Sequence, residues 1–195
     1  MTMTSAKHMI DNDAFGKVLE SGAVRFERCL PGPIERVWEY LTVPEKRALW
    51  LAGGEMELHV GGRVMLEFHN ATLAPKGEAV PDWLKPYTGP MTNPGRVTQV
   101  NKPYLLAFTW GDAGDGSPAS EVVFELKAQG KDVMLALTHR RLTSNTEGLM
   151  VSCGWHVHLG VLVAQMNGDA QPAYWQKFEQ LRSYYKKLHN TDLPQ

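Results

Sequence analysis

Histidine is the side chain whose charge changes near neutral pH, and His69, His139, His156 and His158 all stand in patterned segments. His156 and His158 are two residues apart in a helix-like run. That spacing sets them about 200° apart around a helix, on opposite faces, so they cannot share one metal ion. His139 is in phase with Val133, Leu135 and Leu137 and should face the apolar side of its strand. There it is either a hydrogen-bonded histidine closing the end of the core or a group that touches a ligand. His69 falls opposite Val64, Leu66 and Phe68 and is expected in solvent. Ser152 lacks the flanking glycines of a strained nucleophile elbow. The run GDAGDG at 111–116 lacks GxGxxG spacing and opens no helix, so it reads as a turn. Asp112 and Asp115 do not meet calcium-loop spacing. No metal, cofactor or nucleotide site is expected.

The elements that position these residues follow from hydrophobic period. Ala23 to Leu30 alternates as a strand. Gly32-Pro33 stops it, with Pro33 placed as a first helical residue. Ile34, Val37, Trp38 and Leu41 recur at helical spacing, and Pro44 opens a second short helix carrying Leu49, Trp50 and Leu51. Alternation resumes at Met56, Leu58 and Val60, then at Val64, Leu66 and Phe68, across a Gly61-Gly62 hairpin turn. Residues 70–95, with five prolines and three glycines, read as a long loop. Further strands are expected at 96–101, 104–110, 121–127 and 133–139. Val151, Trp155, Leu159, Leu162 and Met166 define a long helix that is apolar nearly all round, and Asn167-Gly168 ends it. Tyr174, Phe178, Leu181, Tyr185 and Leu188 make one stripe of a final amphipathic helix.

The predicted fold class is α+β: a curved antiparallel sheet wrapped around the long C-terminal helix, with two short helices after the first strand. Residues 1–22 are expected to be an arm, 23–168 the domain and 169–195 a helical extension. The final stripe must be buried, on its own chain by default or across a two-fold axis in a homodimer.

Composition sets the outer limits. A chain of 195 residues with 43% hydrophobic and 21% charged residues fits one folded domain. Net charge −1 and pI 6.7 give no field to recruit nucleic acid or anionic membrane. No segment is expected to span a bilayer, and no leader is expected at the N-terminus. Cys29 and Cys153 read as reduced thiols of a cytoplasmic chain; one bridge between them is possible but not indicated.

Several words in this order resemble the activator of heat-shock protein 90 ATPase homologue family of the START-like, or SRPBCC, superfamily. They are Glu35-Arg36-Val37-Trp38, Gly61-Gly62-Arg63, Gly95-Arg96-Val97, Leu106-Ala107-Phe108-Thr109-Trp110, Leu137-Thr138-His139 and Gly154-Trp155-His156-Val157-His158-Leu159. The resemblance runs from about Val24 to Gly168. It implies a helix-grip fold, and a superfamily that hosts carriers, cyclases, hydrolase-like enzymes and co-chaperone domains.

The leading expectation is a hydrophobic pocket between sheet and helix for a small apolar or amphipathic ligand. Phe108, Trp110, Leu137 and Trp155 converge there by phase, joined by Phe68, Phe124 and Leu159. His139, Ser152 and His156 are the candidate polar groups. Two alternatives stand beside it. One is an enzyme of the polyketide-cyclase or hydrolase-like type using His139 or His156 as acid or base; the other is a chaperone-interacting module. Trp83, Leu84, Tyr87 and Met91 are apolar enough for 70–95 to be either a lid over the pocket or a static loop packed on itself.

Overall fold

The computed structural model describes residues 10–19, 22–111 and 119–191. The run 112–118, with Asp112 and Asp115, therefore lies outside the described residues. Chain order is β1 (Lys17–Val18), β2 (Val24–Pro31), α1 (Ile34–Thr42), α2 (Pro44–Arg47), β3 (Arg63–Phe68), β4 (Met91–Asn101), β5 (Leu105–Trp110), β6 (Ser120–Gln129), β7 (Asp132–Arg140), α3 (Asn145–Asn167) and α4 (Trp175–Leu188). The strands form one antiparallel sheet in the order β1-β2-β7-β6-β5-β4-β3. A bulge between Val97 and Gln99 shifts the β4–β5 register, and bulges of this kind bend and twist a strand. The sheet curls around α3, as expected.

Where alternation has a partner strand, it reads correctly. In β2, Val24, Phe26, Arg28 and Leu30 are buried and the intervening residues half-buried. In β3, Val64, Leu66 and Phe68 are buried and Arg63, Met65 and Glu67 exposed. The alternation at 56–60 does not make a strand. Met56 forms an isolated bridge to Val64, while Leu58 and Val60 are 42% and 69% exposed. The backbone turns back on itself there: His59 N–H donates to the Glu57 carbonyl and Gly62 N–H to that of His59. The final strand residues of the expected loop also differ. Met91 to Gly95 belong to β4, and Pro94 is accommodated where β4 pairs with β3 but has no ladder partner in β5.

Residues 10–19 are docked. β1 pairs with β2, the Asn12 side chain exchanges hydrogen bonds with the Cys29 backbone at 2.7 and 2.8 Å, and Gly16 N–H donates to the Tyr185 hydroxyl at 2.8 Å.

The α3 helix starts where its sequence provides a cap. Ser144 Oγ accepts from Glu147 N–H at 3.1 Å, and the Glu147 carboxylate accepts from the Thr143 backbone at 2.6 Å. It ends at Gly168, whose φ of 77° is cheap only for glycine. By length and composition alone this helix could cross a membrane, at mean hydropathy 1.3, a test that the buried core helix of a folded domain also passes. But 67% of that stretch is buried inside the chain, by the sheet on one side and α4 on another. The α4 stripe is satisfied within one chain: Tyr174, Phe178, Leu181 and Tyr185 are buried, and only Leu188 of the expected stripe is exposed. It packs on α3 rather than on the outside of the sheet.

Arg47 fixes the link between α2 and the site. Its buried guanidinium donates to the carbonyls of Leu41, Thr42, Ala52, Gly53 and Gly54, and burial pulls its pKa down to about 10. The chain from Trp50 to Ala52 is thereby held against α3.

Candidate functional site

A cavity of about 290 Å³ lies at one end of α3, near the lower edge of the ~300–1,000 Å³ range of ligand pockets. Phe68 at the end of β3 and Trp110 at the end of β5 form its sheet side. Met150, Val151, Gly154, Trp155 and His158 come from α3; Tyr174, Trp175 and Phe178 come from the start of α4. Leu51 closes one side, and the segment after β3 supplies Asn70, Leu84 and Tyr87 before β4 adds Met91, Thr92 and Asn93. The walls are mainly aromatic and aliphatic, and among the described residues that line the cavity none is a carboxylate, an ammonium or a guanidinium.

Of the ten residues expected at the pocket, Phe68, Trp110 and Trp155 line this cavity. The Trp110 and Trp155 rings touch, with centroids 5.1 Å apart. Phe108, Phe124, Leu137 and Leu159 are buried in the solid core instead. His139 is fully buried with both nitrogens engaged. Its Nδ1 accepts from the Trp155 indole N–H at 3.0 Å, so Nε2 carries the proton and meets Ser120 Oγ at 3.0 Å. Burial, with Arg141 nearby, depresses its pKa to about 3. His156 lies on the opposite face of α3, where its Nδ1 meets the Tyr185 hydroxyl at 3.0 Å. That hydroxyl also accepts from Gly16 N–H at 2.8 Å. Ser152 Oγ and His189 Nε2 are 2.8 Å apart and tie α3 to the end of α4. Neither residue lines the cavity.

His158 is the histidine that reaches the cavity. Its Nδ1–H donates to the Trp50 carbonyl at 2.8 Å, leaving Nε2 to accept from the Tyr174 hydroxyl at 3.1 Å. Burial holds it neutral with a pKa of about 4, although the Trp50 bond opposes the shift; burial likewise pushes the Tyr174 phenol up. The side of α3 opposite His156 was legible from the two-residue spacing. That this side carries the cavity was not.

The segment between β3 and β4 folds into two short 3₁₀ turns, Asn70–Thr72 and Asp82–Tyr87. Leu84 is buried, and the segment is latched to α4 at two points. The Glu78 carboxylate accepts from the backbone N–H groups of Tyr174 and Gln176, both at 2.9 Å, in the manner of an N-terminal cap. The Trp83 indole donates to Glu179 and lies between the Phe178 ring, 5.8 Å away, and the Arg182 guanidinium, 4.7 Å from its centroid. Glu78→Ala is expected to weaken this latch by about 1 kcal/mol, so amide hydrogen exchange at residues 82–88 should rise about fivefold while β6 and β7 keep their protection. Unchanged exchange at 82–88 would show that Glu78 does not hold the segment.

Among the described residues no group of three or more His, Cys, Asp or Glu is placed to hold a metal ion. Cys29 and Cys153 are free.

A curved antiparallel sheet closed over a long C-terminal helix defines the helix-grip, START-like class, a ligand-binding fold. The chain belongs to the family described as Activator of Hsp90 ATPase homolog 1-like protein, which it matches over residues 31–167. A protein of Bordetella parapertussis, solved by solution NMR, is 41% identical over 90% of each chain, with a TM-score of 0.75. CalU16 from Micromonospora echinospora is 20% identical, covering 91% of this chain and 96% of its own, with a TM-score of 0.62. DynU16, a protein of the dynemicin biosynthetic locus, is 19% identical over 78% of this chain and 50% of its own, with a TM-score of 0.55. At those identities CalU16 and DynU16 share the fold. No curated protein matches the chain.

Proposed function

We propose that the protein binds one small, uncharged, mainly apolar molecule in the cavity between α3, the ends of β3 and β5, the latched 70–95 segment and α4. The observation that carries this reading is the cavity itself. Its walls are large aromatic and aliphatic side chains, yet they leave about 290 Å³ unfilled in an otherwise close-packed core. An ionised ligand would lose its hydration there with no opposite charge among the described lining residues to meet it.

The cyclase or hydrolase-like alternative rested on His139 or His156, and neither ring lines the cavity. Equilibrium dialysis against 2-acetylnaphthalene tests the binding reading. Saturable uptake of one molecule per folded chain supports it; uptake that rises linearly without saturation, or none, overturns it.

A further inference from the structure

We propose that the cavity selects an uncharged apolar molecule bearing a hydrogen-bond donor at one end, read by Asn70, and an acceptor at the other, read by Asn93. This rests on the binding function proposed above and narrows its ligand class.

Buried polar groups nearly always have partners, because leaving one unmade forfeits its hydration without return. Among the described residues only four buried side-chain polar atoms lack one: Arg28 Nε, Arg28 Nη2, Asn70 Oδ1 and Asn93 Nδ2. Two of the four line the same cavity. Asn70 is 7% exposed, and its Nδ2 donates to the Tyr87 carbonyl at 3.4 Å. That bond sets the amide's orientation and leaves the oxygen as the free group. Asn93 offers the complementary N–H.

The two amides stand apart. In the β3–β4 ladder Asn93 pairs with Leu66 and Met91 pairs with Phe68, while Asn70 follows beyond Phe68. The Phe68–Met91 pair therefore separates them along the strands. A single ligand amide does not serve both; two polar groups spaced by an apolar body do. Trp110 and Trp155 also line the cavity, flat surfaces suited to an aromatic or fused-ring body. A further polar pair in the wall, His158 and Tyr174, is already satisfied by its mutual hydrogen bond and the Trp50 carbonyl. It makes no competing demand on the ligand.

A naphthalene series separates the two levels of the reading. The probes are naphthalene, 2-naphthol, 2-acetylnaphthalene, 6-hydroxy-2-acetylnaphthalene and the anion 2-naphthoate, each measured by equilibrium dialysis. Each neutral polar group is expected to tighten binding about tenfold over naphthalene, and the two together about a hundredfold. Asn70→Leu should cancel the gain from the hydroxyl, and Asn93→Leu the gain from the carbonyl. The wild-type series stands alone if a variant fails to fold. Equal affinities across the neutral probes would overturn the Asn70–Asn93 assignment while leaving the pocket reading intact. Tightest binding of 2-naphthoate would overturn the uncharged class. Failure of every probe to bind would overturn the binding function itself, and this inference with it.

Discussion

Lowering the pH from about 7 to about 5 is expected to remove roughly 6 kcal/mol of unfolding free energy, well before the carboxylates titrate. The source is three histidines buried as neutral rings. His139 and His156 are held at about 3 and His158 at about 4, in each case chiefly by burial. Arg28 and Lys177 add to the shift at His156. In the unfolded chain each returns to about 6.5. Between those values the unfolded state binds protons that the folded state refuses, so stability is complete above about pH 6.5 and falls as pH drops towards 3. Each ring contributes about 2 kcal/mol of loss by pH 5. Against a typical stability of ~5–15 kcal/mol, that brings the protein close to unfolding. Urea denaturation at about pH 7, 6 and 5 reads the effect as a falling midpoint. A midpoint constant over that range would mean that the rings accept protons in the folded state.

Gly154→Leu is expected to lower affinity for 2-acetylnaphthalene by a hundredfold or more without destabilising the protein. Gly154 sits inside α3 and lines the cavity. A glycine there costs the helix about 1 kcal/mol relative to alanine. Packing does not require it: a Cβ built on Gly154 meets no heavy atom within 4 Å. Gly148 contrasts with it, since a Cβ there would come within 2.6 Å of the His189 ring. The space in front of Gly154 is cavity. A leucine would fill it and remove the helix penalty together, so stability should rise by up to about 1 kcal/mol. Gly154→Ala should give the same stabilisation with a smaller loss of affinity. Full affinity in a folded Gly154→Leu protein would place the ligand elsewhere.

The sequence carried the fold further than the site, for a physical reason. Periodicity reports which face of an element turns inward, and that suffices for β2, β3, α3 and α4. It cannot report whether a partner strand exists, which is why the alternation at 56–60 misleads. Nor can it distinguish an inward position filled by neighbours from one facing empty space. Phe108, Phe124 and Leu137 are in phase with Trp110 and meet solid core, whereas Trp110 stands at the strand end where the cavity opens. Where the cavity lies depends on how 70–95 folds and latches to α4, through Glu78 and Trp83, and no local pattern encodes that contact. The apolar Trp83, Leu84, Tyr87 and Met91 were the visible sign that the segment covers something. Asn70 and Asn93 gave no sign, because asparagine in a Pro/Gly-rich stretch reads as turn chemistry.

Chemical-shift mapping of 2-acetylnaphthalene on the isotopically labelled protein tests the central claim most directly. The outer face of β3–β5 offers a competing groove of about 460 Å³, lined by Glu57, Arg63, Arg96 and Thr109. The account predicts saturable shifts at the Trp110 and Trp155 indoles and at the amides of Met91, Asn93, Val151 and Gly154. Shifts confined to Glu57, Arg63 and Thr109, with the two indoles unmoved, would contradict it.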